Sequence, residues 1–205
     1  FETVQPSYQF IKALLNNEKG LHIDKDHFMT ISPDEGSMNR AIYLANVLGV
    51  DMGMYYKRLD YSKYVNGRHP IAAYEFLGPK IEGKDMILID DMISSGDTII
   101  KIASLLKEKG AGRVYICSTF GFFTDGLDKF DDAYKKGYFD KLLTTNLVYQ
   151  SPELLEKPYY ISCDMSKYIA LIIDTLNHDT SVSHLLNPVD RIKRCVTNYM
   201  SQHEK

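Results

Sequence analysis

Short apolar runs alternate with amphipathic segments along this chain. Runs at residues 28–32, 52–56, 86–89, 113–119, 142–147 and 159–162 have the length and composition of buried β-strands. Apolar residues at helical spacing predict helices over residues 10–15, 37–48, 99–109, 164–176 and 189–200. Strands that alternate with helices indicate an α/β fold with a mostly parallel, twisted sheet flanked by helices.

One long polar segment interrupts this alternation. Residues 57–70 contain the turn pair Asn66-Gly67 and the breaker Pro70, which together predict a long loop or an irregular hairpin. Because the segment is polar and offers few side chains to a core, we expect it to be mobile.

Composition restricts the class of protein. The 205 residues are 44% hydrophobic and 25% charged, which excludes a disordered tail, a collagen-like repeat and a coiled coil. A formal net charge of −3 argues against a nucleic-acid partner, and the absence of a long apolar run argues against a membrane span. Three widely spaced cysteines without a CxxC pattern predict reduced thiols and a cytoplasmic protein.

Residues 87–98 combine an apolar strand, two carboxylates and a small hydroxylated loop that opens a helix. Ligands of α/β sheets bind at the carboxyl ends of strands, where loop N–H groups and a helix N-terminus attract phosphate. We therefore predict a phosphate site at Ser94, Ser95, Gly96 and Thr98. The segment is not a Walker loop, because the GxxxxGK[ST] pattern is absent.

The carboxylates of this segment need other partners than the phosphate. Asp90 and Asp91 suit neighbouring hydroxyl groups or a Mg²⁺ ion, so a phosphorylated sugar would satisfy both the loop and the acids. Asp97 is expected to point away from the phosphate and to favour the N-terminus of the helix. The alternative is purely structural: the acids end a strand, and residues 94–98 start a helix.

The same segment resembles the phosphoribosyl-pyrophosphate (PRPP) motif of type I phosphoribosyltransferase-fold proteins. Five other stretches resemble, in order, segments of the ribose-phosphate diphosphokinases (PRPP synthetases), a family with this fold. They are Ser32-Pro33-Asp34-Glu35-Gly36 with Arg40-Ala41, Lys57-Arg58, Thr119-Phe120-Gly121-Phe122-Phe123, Thr144-Thr145-Asn146 and Ser181-Val182-Ser183-His184-Leu185-Leu186. The ordered set covers residues 31–186 and resembles the catalytic C-terminal half of such a protein.

The resemblance implies an enzyme that transfers the β,γ-diphosphoryl group of ATP to ribose 5-phosphate, giving PRPP and AMP. It places the ribose on Asp90 and Asp91, directly or through Mg²⁺, and puts Asp34 near the metal. The 5-phosphate is assigned to residues 94–96 and Thr98. The resemblance also implies Mg²⁺ as the cofactor and a homo-oligomer, either a dimer or a hexamer.

The catalytic candidates are Lys57, which would stabilise the transferring phosphates, and Arg58 beside it. The family pattern is Lys-x-Arg, but this chain has Leu59 at the third position, and Arg58 would have to substitute from a neighbouring backbone position. Leu59, together with Phe120 in place of a frequent His, favours an alternative: a non-catalytic, regulatory relative. Nucleobase phosphoribosyltransferases share the phosphate loop and form a further alternative, although the other segments are not their signature.

The resemblance also divides the chain. Residues 1–20 are expected to be a linker or helix from an N-terminal half that is missing, residues 21–187 a phosphoribosyltransferase-like domain, and residues 188–205 a helical extension. The missing half supplies much of the ATP site in this family. We therefore expect the chain to bind ribose 5-phosphate or PRPP and to be incomplete for activity.

Overall fold

A single sheet organises the computed structural model, which describes residues 4–64, 67 and 69–203. Within these residues, seven strands lie in the order β3-β2-β1-β4-β5-β6-β7, and all neighbours are parallel except β2 and β3. The strands are β1 (Phe28–Ser32), β2 (Asp51–Leu59), β3 (Ile71–Leu77), β4 (Asp85–Ile93), β5 (Val114–Gly121), β6 (Lys141–Thr145) and β7 (Tyr160–Cys163). This order confirms the predicted mostly parallel α/β fold.

Helices cover both faces of the sheet. They are α1 (Ser7–Asn17), α2 (Met38–Leu48), α3 (Asp97–Glu108), α4 (Asp128–Lys135), α5 (Pro152–Leu155), α6 (Ser166–Asn177), α7 (Ser183–Leu186) and α8 (Val189–His203), and a 3-10 turn, Glu35–Ser37, precedes α2. One core cluster joins α1, α2 and α8 to Ile87 and Ile89 of β4, and the other joins α3 and α4 to Met86 and Leu88. The strand is continuously apolar because successive residues enter opposite cores.

The predicted elements are present, but their bounds differ: β2 and β4 extend further than their apolar runs, and β6 ends at Thr145, two residues before the end of its predicted run. The strand predicted over residues 86–89 continues to Ile93, so Asp90 and Asp91 lie within β4 rather than in a loop. The polar segment predicted over residues 57–70 begins inside β2, and residues 71–77 form β3, which pairs antiparallel with β2. No strand is predicted from the sequence over residues 71–77, although six of these seven residues are hydrophobic. The antiparallel pairing with β2 makes the segment a strand. Asn66 of the predicted turn lies outside the described residues.

The two terminal helices pack against one another on the same core. Phe10 and Leu14 of α1 and Ile192 of α8 are fully buried in one cluster. The hydroxyl of Tyr199 on α8 donates to the Glu18 carbonyl at 2.9 Å and accepts from Leu21 N at 3.1 Å. The expected division at residues 20 and 187 stays a prediction, and its residues 1–3, 204 and 205 lie outside the described part.

The length and polarity of the helices also bear on membrane insertion. Across residues 4–64, 67 and 69–203, the structure contains no helix with both the length and the apolarity that crossing a bilayer requires.

Candidate functional site

The candidate site lies where the strand order reverses. From β1 the chain continues to β2 on one side, whereas β4 and β5 extend the sheet on the other. At such a switch point the loops after two neighbouring strands diverge and leave a crevice at the carboxyl edge of the sheet. Asp34 follows β1, and Asp90 and Asp91 lie near the end of the adjacent β4. The crevice therefore collects carboxylates from both strands.

A cavity of about 350 Å³ occupies this crevice, and we call it the strand-end cavity. The 3-10 turn, the end of β4 and the loop into α3 form its walls. The sequence-predicted residues that line it are Asp34, Asp90, Asp91, Ser94, Ser95, Gly96 and Thr98. The structure thus brings together the predicted phosphate loop, the acid pair and the third carboxylate.

The turn from β4 into α3 depends on Gly96. This residue has φ of +84°, and a Cβ built on it would lie 2.3 Å from Cζ of Phe130. Only glycine satisfies both conditions. Gly96 is also the N-cap of the twelve-residue α3 and has no side chain to cap it. First-turn N–H groups without a side-chain acceptor are suited to an anion.

The hydroxyl groups of the loop are already oriented. The Ser94 hydroxyl lies 3.3 Å from that of Thr124, and the Ser95 hydroxyl donates to Asp97 Oδ2 at 3.0 Å. Lys129 Nζ donates to Asp97 Oδ1 at 2.8 Å, and this bond is the main reason that the pKa of Asp97 lies below its usual value. The Asp97 charge is therefore paired with a lysine of α4 at the edge of the loop.

Asp90 is the most enclosed carboxylate of the site. Its Oδ1 accepts hydrogen bonds from Ser37 Oγ at 2.6 Å and from Asp91 N at 2.8 Å. Burial raises the pKa of Asp90, these hydrogen bonds oppose the rise, and the carboxylates of Asp91 and Asp34 add to it. A ligand that donates hydrogen bonds or carries positive charge would relieve this repulsion.

Two side chains of the protein act as counterions to the other carboxylates. Arg40 Nη2 lies 3.6 Å from Asp91 Oδ2, and Lys57 Nζ lies 3.5 Å from Asp34 Oδ2. Both pairs are partly exposed, so they contribute little to stability and can exchange for a ligand. Lys57 reaches the rim of the strand-end cavity from β2.

Arg58 has a different environment. Successive residues of a strand face opposite sides, and Arg58 Nε pairs with Glu75 Oε1 on β3 at 2.7 Å. Glu75 also accepts the hydroxyl of Tyr56 at 2.5 Å, on the same side of the hairpin. The structure therefore does not bring Arg58 together with Lys57 and Asp34, and the idea that it substitutes for an arginine at Leu59 gains no support.

Three contributing residues were not predicted as site residues. Ser37, Arg40 and Lys129 contact Asp90, Asp91 and Asp97 respectively. Arg40 was visible only as part of a sequence motif, while Ser37 and Lys129 are common polar residues whose roles depend on contacts between distant segments. A capping position before α2 was the sole local signal for Ser37.

The predicted metal ligands were Asp34, Asp90 and Asp91. They line one cavity, yet among the described residues no group of three His, Cys, Asp or Glu side chains is arranged to hold a metal ion. Mg²⁺ commonly takes only one or two protein carboxylates and completes its shell with water and substrate oxygens. The oxygen donors of this cavity fit Mg²⁺ in that mode and do not form a closed protein cage.

The chain is similar to one known protein family and to several curated proteins. The family description "Phosphoribosyl transferase domain" matches residues 4–157. Ribose-phosphate pyrophosphokinase of Vibrio parahaemolyticus serotype O3:K6 is 29% identical over 163 residues, which are 79% of this chain and 49% of that protein. The protein of the same name from Vibrio cholerae is 29% identical over 176 residues, 85% of this chain and 52% of its own. The chain thus spans about half the length of the curated relatives it matches.

A solved structure supports the fold assignment. Phosphoribosylpyrophosphate synthetase from Mycobacterium smegmatis superimposes with a TM-score of 0.65 at 21% identity. The match covers 84% of this chain and 51% of the other. At this identity the likeness establishes a shared fold.

Proposed function

Because the chain belongs to the phosphoribosyl transferase domain family, we propose that it is the part of a ribose-phosphate pyrophosphokinase that binds ribose 5-phosphate and PRPP. The observation that carries this proposal is the strand-end cavity. In it the acid pair of β4 meets the α3 N-terminus, which has no side-chain cap. An anion site beside paired carboxylates matches a sugar phosphate, whose two ends differ in charge and hydrogen bonding.

The proposed orientation of ribose 5-phosphate follows from charge. Its phosphate lies at residues 94–98, where loop hydroxyls and first-turn N–H groups donate hydrogen bonds. Its ring hydroxyls lie at Asp90 and Asp91, which are acceptors that lack strong counterions. The reverse orientation would place a dianion against two carboxylates.

The proposed reaction is a diphosphoryl transfer from ATP. The C1 hydroxyl oxygen of the sugar forms a bond to the β-phosphorus of ATP, and the bond from that phosphorus to the oxygen of the α-phosphate breaks. AMP leaves with the electron pair, and the hydroxyl proton passes to solvent. Such transfers depend mainly on alignment and on stabilising the charge that spreads over the phosphates.

Lys57 is the residue of this chain that we assign to the transferring phosphates. It approaches the cavity through Asp34, a weak pair that an incoming phosphate can replace. Mg²⁺, held by Asp90, Asp91 or Asp34 together with substrate oxygens, would supply further neutralisation of the phosphates. A homo-oligomer, dimer or hexamer, that acts in the cytoplasm belongs to the same proposal.

Calorimetric titration of ribose 5-phosphate in the presence of Mg²⁺ tests the substrate assignment. Thr98→Val removes a hydroxyl from the cavity wall and is expected to weaken binding by roughly 1–3 kcal/mol, the value of a hydrogen bond to a charged group. Thr197→Val, on the exposed face of α8, is the matched control and should bind like the parent. Equal affinity of both variants would contradict the placement of the phosphate.

Asp91→Asn tests the acid pair in the same titration. We expect weaker ribose 5-phosphate binding and a smaller dependence on Mg²⁺, with little change in melting temperature because the Asp91 side chain is 44% exposed. A lower melting temperature with unchanged binding would assign Asp91 a structural role instead.

The reaction itself is tested with a protein that also contains the remaining half found in the relatives. AMP formation from ATP and ribose 5-phosphate supports the proposal. PRPP consumption that requires a nucleobase would identify a nucleobase phosphoribosyltransferase, and sugar-phosphate binding without AMP formation would identify a regulatory protein.

A further inference from the structure

A second cavity, of about 490 Å³, lies between α1, α6 and α8 beside the end of β7, and we call it the terminal-helix cavity. None of its lining residues lines the strand-end cavity. The function proposed above makes no use of it.

Three cationic side chains from three helices line the terminal-helix cavity. They are Lys12 of α1, Lys167 of α6 and Arg191 of α8. Among the described residues, none of the three forms an ion pair with an acidic side chain. Three positive charges around one cavity that holds a single acidic side chain leave an excess of positive charge, which an anion in the cavity would neutralise.

One acid, Asp164, lies in the same wall, and its hydrogen bonds are directed elsewhere. Its Oδ1 accepts from Ser166 N and from Asn146 Nδ2, both at 2.9 Å. The side-chain hydroxyl of Ser166 is the largest cause of the lowered pKa of Asp164, these two bonds follow, and the charge of Lys12 also contributes. Asp164 thus serves the start of α6, and the wall keeps an excess of positive charge.

Arg191 is fixed in place before any ligand arrives. Its guanidinium lies 5.3 Å from the ring centre of Tyr8 and 5.8 Å from that of Tyr168. Its Nη2 donates to the Leu185 carbonyl at 2.6 Å. Because the side chain is held from both sides, it contributes an oriented charge at little further entropy cost.

The wall also has unused hydrogen-bonding capacity. Gln9 Oε1 is buried and accepts no hydrogen bond from any described residue. Asn16 adds an amide to the lining, and Ser162 adds a hydroxyl that already donates to Gln150 Oε1 at 2.7 Å and can still accept a hydrogen bond. A buried acceptor without a donor is unfavourable by about 1–3 kcal/mol, so a rotation of the Gln9 side chain that let Oε1 accept from a ligand hydroxyl in the cavity would be favoured.

We propose that the terminal-helix cavity binds a small phosphate ester that carries hydroxyl groups. A phosphate has three terminal oxygens that can meet three separate cations, whereas a carboxylate has two. The volume exceeds the need of inorganic phosphate alone and lies within the range of small-molecule sites. The polar lining around Gln9 favours a hydroxylated organic part over an apolar one.

The test is a titration of the full chain with glycerol 3-phosphate, followed by NMR of the backbone amides. We expect shifts in residues 8–17 and 162–171, separate from any shifts in residues 94–98. Inorganic phosphate should bind the same residues more weakly, and malate, a hydroxylated dicarboxylate, more weakly still.

Paired charge variants provide the control. Lys12→Gln combined with Lys167→Gln should weaken glycerol 3-phosphate binding at this cavity at least about tenfold, which corresponds to about 1.4 kcal/mol. Lys25→Gln combined with Lys193→Gln makes the same change in net charge at exposed positions outside the cavity and should leave the affinity unchanged.

Three outcomes would overturn the proposal. They are shifts confined to residues 94–98, equal affinity of the two double variants, and malate binding as tight as that of the phosphate ester. The proposed ribose 5-phosphate site is unaffected by any of them, because its own test uses Thr98 and Asp91.

Discussion

Although Asp90 accepts two hydrogen bonds, ionisation of its carboxyl group is less favourable in the folded protein than in the unfolded chain. Burial is the largest cause, and the carboxylates of Asp91 and Asp34 add to it, so its folded pKa lies above the ordinary 3.8. The folded state therefore binds the Asp90 proton more tightly than the unfolded chain does. The stabilisation that comes from binding this proton is fully present when the pH is below the pKa of Asp90 in the unfolded chain. It is lost as the pH rises through the pKa of Asp90 in the folded protein.

The first prediction follows from that sign. Asp90→Asn keeps an acceptor for Ser37 Oγ and Asp91 N but removes the charge. We expect the variant to be more stable than the parent at pH 7 by about 0.5–2 kcal/mol, measured by urea unfolding, with the difference shrinking as the pH falls toward 4. Ribose 5-phosphate binding should be weaker at the same time.

Asp26→Asn at an exposed position is the control for Asp90→Asn and should show no such trend. A loss of stability at pH 7 that persists at pH 4 would mean that the carboxylate of Asp90 supports the fold.

At the scale of elements, the turn from β4 into α3 is the most constrained segment of the site. Gly96 combines a left-handed backbone with contact against Phe130, and both constraints hold the predicted phosphate loop in place. Gly126 has a similar φ of +79°, but no atom lies within 4 Å of a Cβ built there. A comparison of Gly96 with Gly126 therefore separates the effect of a clash with Phe130 from the effect of the left-handed backbone.

The second prediction uses this pair. Gly96→Ala should lower the free energy of unfolding by about 2–5 kcal/mol, the sum of left-handed strain and a core clash. Gly126→Ala should lower it by only about 1–2 kcal/mol. Adding Phe130→Leu to Gly96→Ala should recover part of the loss, because the clash is removed. Equal effects of the two alanines in thermal or urea unfolding would show that the contact with Phe130 can relax.

The β2–β3 hairpin extends beyond the body of the sheet. β1 pairs only with residues 51–54 of β2, so residues 55–59 are paired with β3 alone. We call the outer part of this hairpin, residues 57–59 and 71–74, the arm. Lys57 is carried by this arm, and a two-stranded ribbon is marginally stable on its own. We therefore expect the mobility predicted for residues 57–70 to take the form of an arm that opens as a unit.

The third prediction concerns opening of the arm. Native-state hydrogen exchange should show those amides of the arm that are hydrogen-bonded across the β2–β3 pair exchanging through a local opening at lower free energy than those of residues 86–89 in β4. Ligands that bridge Lys57 to the strand-end cavity should slow amide exchange in the arm and leave amide exchange in β4 unchanged. Equal protection of the arm and β4 would contradict a mobile arm.

At the scale of the whole molecule, the chain contains the residues that we assign to one of the two substrates of the proposed reaction. The groups assigned to the sugar phosphate lie in a single strand–turn–helix unit, residues 87–98. The chain spans about half the length of the relatives it matches, and the family resemblance assigns much of the ATP site to the other half. Alignment of two substrates can supply on the order of 7–11 kcal/mol of barrier reduction.

The fourth prediction follows. The 205-residue chain with Mg²⁺, ATP and ribose 5-phosphate should form AMP far below the common enzyme range of about 1–10³ per second, while it binds ribose 5-phosphate in parallel. Adding the half of the relatives that this chain does not match, in the same polypeptide, should restore turnover. AMP formation within that range by the 205 residues alone would mean that the ATP groups lie within them.

The sequence by itself determined the fold class and the local half of the site. A strand that is buried on both faces gives a continuous apolar run, and an amphipathic helix gives apolar residues with a 3.6-residue period. Both patterns can therefore be recognised in the sequence without knowledge of the tertiary contacts. The phosphate loop and the acid pair were likewise readable, because residues 90–98 are contiguous and need only a strand end and a helix start.

Only the tertiary structure decided which distant residues join them. The hydrogen bond from Ser37 to Asp90 spans 53 positions, and it exists because β1 lies beside β4 in the sheet. The separation of Lys57 from Arg58 depends on β2 continuing as a paired strand. Lys12 and Arg191 line the same cavity because α1 packs on α8. Strand order, pairing and helix docking are non-local properties, so no local pattern of polar and apolar residues specifies them.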